Sequence, residues 1–352
     1  MPVIRSCGNS NRAIQAGASR LFFVCIIRAM RIAPASFLLL AGCLAAPPAA
    51  RASADELANP LPVLLEQGAT EVDATHDFVS EHFLDLVQGI DRFFGDERNF
   101  QESNRSVLQL DVNELMQPDG QRKASLKGRA KLHLPATEQR FHLLLESDPE
   151  QNTTGNPATQ PQRLGDINTP GEYGLAVRQE RSREEAWHIS NDIGVKLHAP
   201  LEPFARTRAS MTVPLGEWRM KPAQSLFWFS QSGPGETSQL DFERQLAPRT
   251  LFRATSVATW LHQPQRFDLS QSFTVYHTLN EQRALQYQLS LIGVSAPQSR
   301  LDDAVLSVLY RRQLHRRWLF FEMNPQLHFP HSHSYQRQAL LWLRLQVLFD
   351  EE

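Results

Sequence analysis

The stretch ALQYQLSLIGV, residues 284–294, alternates between apolar and polar side chains over almost its whole length. Successive side chains of an extended strand point to opposite faces, so period-two alternation predicts a strand with one apolar and one wet face. Its apolar face carries Leu285, Tyr287, Leu289 and Leu291. The fold depends on whether that face meets a protein core or lipid.

Runs of this kind follow one another from residue 104 to 349, with no helical period between them and no visible domain boundary. We count about fourteen, with about twelve to sixteen as the range. Examples are ASLKGRAKLHL (124–134), FARTRASMTV (204–213) and ALLWLRLQVLF (339–349). The runs span about 10–13 residues, whereas globular strands average about 5–6 and tilted membrane-crossing strands need about 9–11. This length favours lipid, although a soluble β-sandwich also alternates.

The connections between the runs differ in length at the two ends. QLAPRT (245–250), LNEQRA (279–284) and QLHRRW (313–318) are short and polar. The longest connection, 148–171, is rich in Gly, Pro, Asn and Thr and falls at the opposite end by parity. Outer-membrane barrels combine short turns at one end with long loops at the other.

Aromatic residues collect where the apolar faces end, as they do in the interfacial girdles of membrane barrels. Those near the short turns are Trp187, Phe252, Tyr310, Trp318 and Phe349, and those near the long loop are Trp260, Phe267 and Phe329. The last run ends on Phe349 and resembles the C-terminal assembly signal of Gram-negative outer-membrane proteins, although Asp350, Glu351 and Glu352 follow it. Because every backbone polar group must be paired within lipid, such a sheet must close. We therefore predict an all-β protein, a closed antiparallel transmembrane β-barrel.

The first 54 residues predict a secretory signal peptide. MRIAPASFLLLAGCLAAPPAARASADE (30–56) has an apolar core, two prolines and an Ala-x-Ala site that places cleavage after Ala54. The stretch before Met30 is interpreted as an extended n-region or the product of a mis-set start codon. An alternative is lipidation at Cys43 in the lipobox-like LAGC.

Composition excludes several classes of protein. All three cysteines lie at positions 7, 25 and 43, so a chain cut after residue 54 has neither a disulfide framework nor a cysteine metal site. A net charge of -2 argues against a nucleic-acid partner. We predict no cofactor, and the expected partners are outer-membrane lipid and the barrel-assembly machinery during biogenesis.

Between signal and barrel, residues 55–75 are interpreted as a linker and 76–97 as an amphipathic helix. In HDFVSEHFLDLVQGIDRFFGDE the apolar residues recur at three- and four-residue spacing up to Gly95. Its polar face carries Asp and Glu rather than the Lys and Arg that anionic lipid attracts. We expect a short periplasmic helix covering one end of the barrel.

Three stretches resemble a group of proteobacterial outer-membrane barrels that has no assigned activity. They are DRFFGDE (91–97), LFWFSQSGPGETSQLDFER (226–244) and YRRQLHRRWLFFE (310–322), and the resemblance runs from about residue 76 to 349. It implies the fold, with a short helix before the first strand, and a location in the bacterial outer membrane. It implies no chemistry.

The candidate functional residues lie on the polar face of the predicted strands, which we expect to line the lumen. The inward charged positions are Lys127, Arg129, Lys131, Arg206, Arg208, Asp241, Glu243, Glu322 and Arg344. Rings of charge select ions and solutes, so we predict a channel or transporter for small polar or anionic solutes, with basic and acidic residues segregated on opposite walls. The alternatives are a structural or lipid-interacting barrel plugged by its own salt bridges, and an outer-membrane lipid hydrolase.

The sequence offers little support for catalysis. Ser270 and Ser272 face inward, but no histidine faces inward on their strand or the next, and a hydrolase needs a base within reach of its nucleophile. In the loop HSHS, His331 and His333 could hold a transition metal, but two imidazoles without other ligands are more typical of a polar loop. We predict neither an enzyme nor a metal site.

Overall fold

The described part of the chain is dominated by antiparallel β-structure. A computed structural model of the protein describes residues 86–87, 89–91, 93–94, 106–117, 120–133, 141–153, 172–183, 187–314 and 318–350. All of the described residues belong to one compact unit of the chain. The predicted signal peptide (1–54) and linker (55–75) lie outside the described residues, as does much of the predicted helix 76–97.

The strands coincide with the predicted alternating runs. Their bounds are β1 (Val107–Met116), β2 (Arg122–His133), β3 (Phe141–Ser147), β4 (Tyr173–Arg183), β5 (Trp187–Lys196), β6 (Glu202–Met211), β7 (Val213–Leu215), β8 (Trp218–Phe229), β9 (Gly233–Ala247), β10 (Thr250–Leu261), β11 (Arg266–Asn280), β12 (Arg283–Val294), β13 (Arg300–Gln313), β14 (Leu319–His328) and β15 (Gln338–Asp350). Each of the fourteen runs corresponds to one strand, and the additional strand β7 has three residues.

The strands close into a ring. Strands that are neighbours in the sequence pair with each other except at β6 and β7, where β6 pairs instead with β8, and β1 pairs with β15. The short β7 pairs with β8 directly after β6 and so shares one wall position with it. The predicted closed antiparallel barrel is confirmed, with fourteen wall positions. The soluble-sandwich alternative is wrong, because a sandwich needs two stacked sheets and here one sheet joins its own ends.

The two ends of the barrel differ as predicted. Two-residue connections at 248–249 and 281–282 lie at one end, the tight-turn end. The connection 148–172 lies at the other, the loop end. Both Val107, where β1 begins, and Asp350, where β15 ends, lie at the tight-turn end and face each other in the ladder.

The outward face is an apolar band of the kind that lipid covers. Ile193 is 73% exposed, and Leu126 is 62% exposed, which would be costly in water over a whole circumference. At the tight-turn end Trp318 stacks on Phe349 with 5.6 Å between ring centroids. The chain therefore forms a transmembrane barrel with aromatic residues where the band ends. Among the described residues, no helix is long and apolar enough to cross a membrane.

Phenyl rings fill part of the interior towards the loop end, and two glycines make room for them. Phe204 stacks on Phe229 at 5.2 Å, and Phe227 meets Phe229 edge-on at 5.9 Å. A Cβ atom at Gly194 would lie 2.7 Å from the Phe204 ring, and one at Gly235 would lie 2.4 Å from the Phe227 ring. Larger residues at these two positions would displace the rings.

Candidate functional site in the lumen

The inward side chains of the barrel are polar and largely buried. All nine charged residues predicted to face the lumen lie on the inward side of their strands: Lys127, Arg129, Lys131, Arg206, Arg208, Asp241, Glu243, Glu322 and Arg344. Six of the nine belong to three groups of contacts on different parts of the wall, and the other three, Lys127, Arg129 and Arg208, contact residues outside these groups. We refer to these as the β2–β6, β8–β10 and seam clusters.

The β2–β6 cluster consists of Lys131, Glu146, Arg178, Glu180, Asp192 and Arg206. The Arg178 guanidinium donates two hydrogen bonds to the Asp192 carboxylate, at 2.7 and 2.8 Å. Arg206 also contacts Asp192, and its Nη2 lies 2.6 Å from Glu146 Oε1. Lys131 pairs with Glu180. The register Arg178↔Asp192↔Arg206 along β4, β5 and β6 places a carboxylate between two guanidiniums.

The start of the long connection folds against this cluster. Arg206 Nη1 donates to the backbone carbonyl of Pro149 at 3.2 Å, and Asn152 Nδ2 donates to Glu146 Oε2 at 2.9 Å. Glu150 Oε2 lies 2.7 Å from Lys196 Nζ. Residues 149–152 therefore narrow the lumen at the loop end.

The β8–β10 cluster consists of Arg219, Asp241, Glu243 and Arg253. Glu243, fully buried, accepts from Arg219 Nη2 at 2.5 Å and from Arg253 Nε at 2.7 Å. Asp241 accepts from the hydroxyl of Thr255 at 2.6 Å. The two carboxylates predicted on this wall are thus held by partners on adjacent strands.

The seam cluster lies where β1 meets β15 and consists of Asp111, Arg311, Glu322, Arg344 and Gln346. Glu322 accepts from Arg311 and, at 2.5 Å, from Arg344 Nη2. Gln346 accepts from Arg311 at 2.6 Å and donates to Asp111 at 2.8 Å. These contacts bind β13, β14 and β15 to β1 across the closure of the ring.

The distribution of charge differs from the expected segregation on opposite walls. Lys131 and Arg206 contact carboxylates on nearby strands, and Lys127 Nζ lies 2.9 Å from Asp148 Oδ2. Arg129 donates to Gln109, and Arg208 to Ser225. Opposite charges are therefore neighbours rather than facing one another across the lumen. Locally paired ions lower the cost of leaving water, which segregated ions would bear in full.

Sequence reasoning missed the partners that complete these clusters. The missed residues are Asp111, Glu146, Arg178, Glu180, Asp192, Arg219, Arg253 and Arg311. Their inward orientation could have been predicted from the alternation, because each lies an even number of residues from another inward position of the same strand. The sequence shows how many charged residues each strand carries. Which of them come into contact depends on the register between neighbouring strands.

Ser272 and His328 contact other polar side chains rather than one another. His328 Nδ1 lies 2.7 Å from Asp303, and its Nε2 lies 2.9 Å from the side-chain oxygen of Gln326. Ser272 Oγ lies 2.7 Å from Ser290 Oγ rather than near an imidazole. In the outer loop, Ser332 contacts His333, its neighbour in the sequence, at 3.1 Å. In the part of the chain that is described, no group of three or more metal-ligating side chains comes together.

A comparison with protein-family models finds no match, and a comparison with curated protein sequences finds none either. Among solved structures, the chain is similar to OmpT, an outer membrane protein of Vibrio cholerae, with 7% identity and a TM-score of 0.46, covering 70% of this chain and 98% of that one. It is also similar to the outer membrane channel DcaP of Acinetobacter baumannii, with 8% identity and a TM-score of 0.40, covering 70% and 96%. The KdgM porin has 10% identity and a TM-score of 0.32, covering 68% and 99%. At this level of similarity the assignment of the fold rests on the chain's own strand ladder.

Proposed function

We propose that the protein is a bacterial outer-membrane channel for small polar solutes, with a preference for anions. The observation that carries the proposal is the contrast between the two faces of one closed sheet. The outward face is an apolar band, whereas the inward face carries charged and amide side chains from the tight-turn end to the loop end. A barrel with a polar interior and an apolar exterior is suited to passing hydrophilic solutes through a membrane.

The preference for anions is inferred from a basic stripe on β2. Its inward positions include Lys123, Lys127, Arg129 and Lys131, with Ser125 between the first two. Lys127 is one-third exposed, so water reaches its ammonium group although Asp148 lies 2.9 Å away. A partly hydrated basic residue on the wall attracts anions and repels cations in transit.

The proposal can be tested by single-channel recording in planar bilayers with a KCl gradient. Lys127→Glu is expected to move the reversal potential towards cation selectivity, because it replaces a water-accessible positive charge by a negative one. Arg122→Glu is the matched control, since Arg122 begins the same strand and its side chain is 70% exposed on the outward side. A reversal potential unmoved by Lys127→Glu would remove the basic stripe from the proposal.

A second candidate function is a structural barrel whose interior is closed by its own ion pairs. The observation that favours it is the burial of the charge clusters, in which Lys131, Glu243 and Arg311 are each 0% exposed. A channel should show openings from wild-type protein or from variants that loosen the interior. Complete absence of current from all of them would favour the structural barrel.

A further inference from the structure

Helical residues precede β1 and present a buried apolar face. Residues 86, 87, 89–91, 93 and 94 are helical. Val87 is 0% exposed, and Ile90 and Phe94 are 3% exposed. Their spacing of three and four residues places these side chains on one side of the helix. Gly89 is exposed, and a Cβ atom there would meet nothing within 4 Å.

This apolar face lies against the inner wall of the barrel at the tight-turn end. It forms one cluster with Leu251, Tyr276, Ala284 and Leu309, which are inward residues of β10, β11, β12 and β13. Phe94 meets Tyr276 edge-on with 5.2 Å between centroids. The helical residues therefore lie within the end of the barrel rather than beside it.

Polar contacts join the same segment to two of the charge clusters. Asp91 Oδ1 lies 2.5 Å from Arg253 Nη2 in the β8–β10 cluster. Phe93 packs edge-on against Phe320 at 5.9 Å and lies under the guanidinium of Arg311 in the seam cluster. An ion pair and a cation–π contact fix the orientation of a helix that apolar packing alone would leave free to rotate.

The wall itself is adapted to this occupant. Most of the lumen is lined by polar side chains, yet Leu251, Ala284 and Leu309 form an apolar patch on its inner surface. Such a patch has no benefit in a water-filled passage, because exposed apolar surface is unfavourable. Covered by the helix, the patch excludes water and stabilises the seated position.

We propose that the described helical residues ahead of β1, which are 86, 87, 89–91, 93 and 94, are a lumen plug that closes the tight-turn end and leaves its seat when the channel conducts. The inference rests on the proposed channel function. The barrel of fourteen strands at a tilt of about 40° has a Cα radius of about 14 Å, which admits a helix about 10–12 Å across. A plug of this size blocks much of the opening while the charge clusters shape the rest.

The test introduces one carboxylate on either face of the plug in the full-length protein. Ile90→Asp puts a charge into the apolar contact and is expected to raise the time-averaged single-channel current about tenfold or more, which corresponds to about 1.4 kcal/mol. Gly89→Asp adds the same charge on the exposed face and should behave as wild type. Val87→Asp serves as a second displaced variant if Ile90→Asp does not give a heat-modifiable, folded barrel.

Cysteine labelling is a second measurement, which shows whether the helix covers the apolar patch without relying on the current. The cysteine of Leu309→Cys should be protected from a hydrophilic maleimide when the rest of the chain is wild type and labelled when Ile90→Asp is also present. Gln282→Cys, in an exposed turn, should be labelled in both backgrounds. Equal labelling of residue 309 in both backgrounds would overturn the plug and leave the channel standing. If residue 309 is labelled only in the Ile90→Asp background but neither protein conducts, the channel function would be overturned, and with it the gating role of the helix.

Discussion

Replacing Leu289 by arginine tests which face of β12 meets lipid. Leu289 is 37% exposed on the outward side and lies opposite Phe273 of β11 and Leu306 of β13, which are 41% and 47% exposed. All three positions belong to the apolar band. Arginine here would place a guanidinium among apolar side chains and lipid, where neither hydrogen-bond acceptors nor water are available to it.

The expected magnitude follows from depth. Leu289 is the seventh residue of the strand that begins at Arg283, or about 20 Å along it, which a tilt of about 40° reduces to a depth of roughly 15 Å. The apolar band of such barrels is about 25 Å tall, so this side chain lies near the middle of the bilayer. Arginine at the midplane costs about 2–4 kcal/mol in the free energy of unfolding.

A matched substitution at the edge of the band makes the test specific. Leu246, next to the tight turn that follows β9, is 56% exposed, and Leu246→Arg should cost about 0–1 kcal/mol. Both free energies can be measured by reversible urea unfolding in lipid bilayers, followed by tryptophan fluorescence and heat-modifiable gel migration. Equal costs at the two positions would refute the membrane depth assigned to β12.

Three further outcomes are expected. Gly235→Val should lower the free energy of unfolding by about 1–3 kcal/mol, because its Cβ would lie 2.4 Å from the Phe227 ring. Gly128→Ala should lower it less, because a Cβ atom there would meet the end of a leucine side chain at 3.1 Å. Arg311→Met should cost about 3–5 kcal/mol by breaking a buried pair, and the exposed Arg122→Met no more than about 1 kcal/mol, both by urea unfolding. The protein should float with outer-membrane fractions and shift its gel mobility on boiling, and recovery from the soluble periplasmic fraction would contradict the proposed location.

The strands could be predicted from the sequence because their signal is local. The alternation in residues 284–294 and its counterparts depends on each strand having one lipid face and one inner face, and neighbouring strands repeat it independently. The short β7 was missed because it continues β6 after a one-residue interruption, and a three-residue strand is too short to show a period.

The charge contacts could not be predicted because they depend on stagger between strands. Glu322 and Arg344 were recognised as inward, but that Arg311 joins them, and that Gln346 links the group to Asp111, follows from the pairing of β15 with β1. Residues 111 and 346 are far apart in the sequence, and a shift of two residues in register would separate their side chains. Parity identifies the inward residues, and only the closed ring determines their neighbours.

The apolar face of residues 86–94 shows the same limit in another form. The three- and four-residue spacing indicates that a face must be covered, and the sequence led us to expect a helix over one end of the barrel. The covering surface is assembled from four strands between residues 250 and 313. Nothing in the spacing distinguishes a helix that lies across an opening from one that enters it.

Because β1 pairs with β15, every strand of the wall has a hydrogen-bonded neighbour on each side, and the hydrogen bonds do not distinguish a first strand from a last one. Val107 and Asp350 stand opposite each other at the tight-turn end, close enough for a short peptide to join them. The chain could then begin instead at the turn 281–282, with β12 first and β11 last, and every strand would keep the neighbours it has now. Such a circularly permuted barrel would lack the helical residues that precede β1, and a peptide carrying them could then be added to the barrel as a separate molecule.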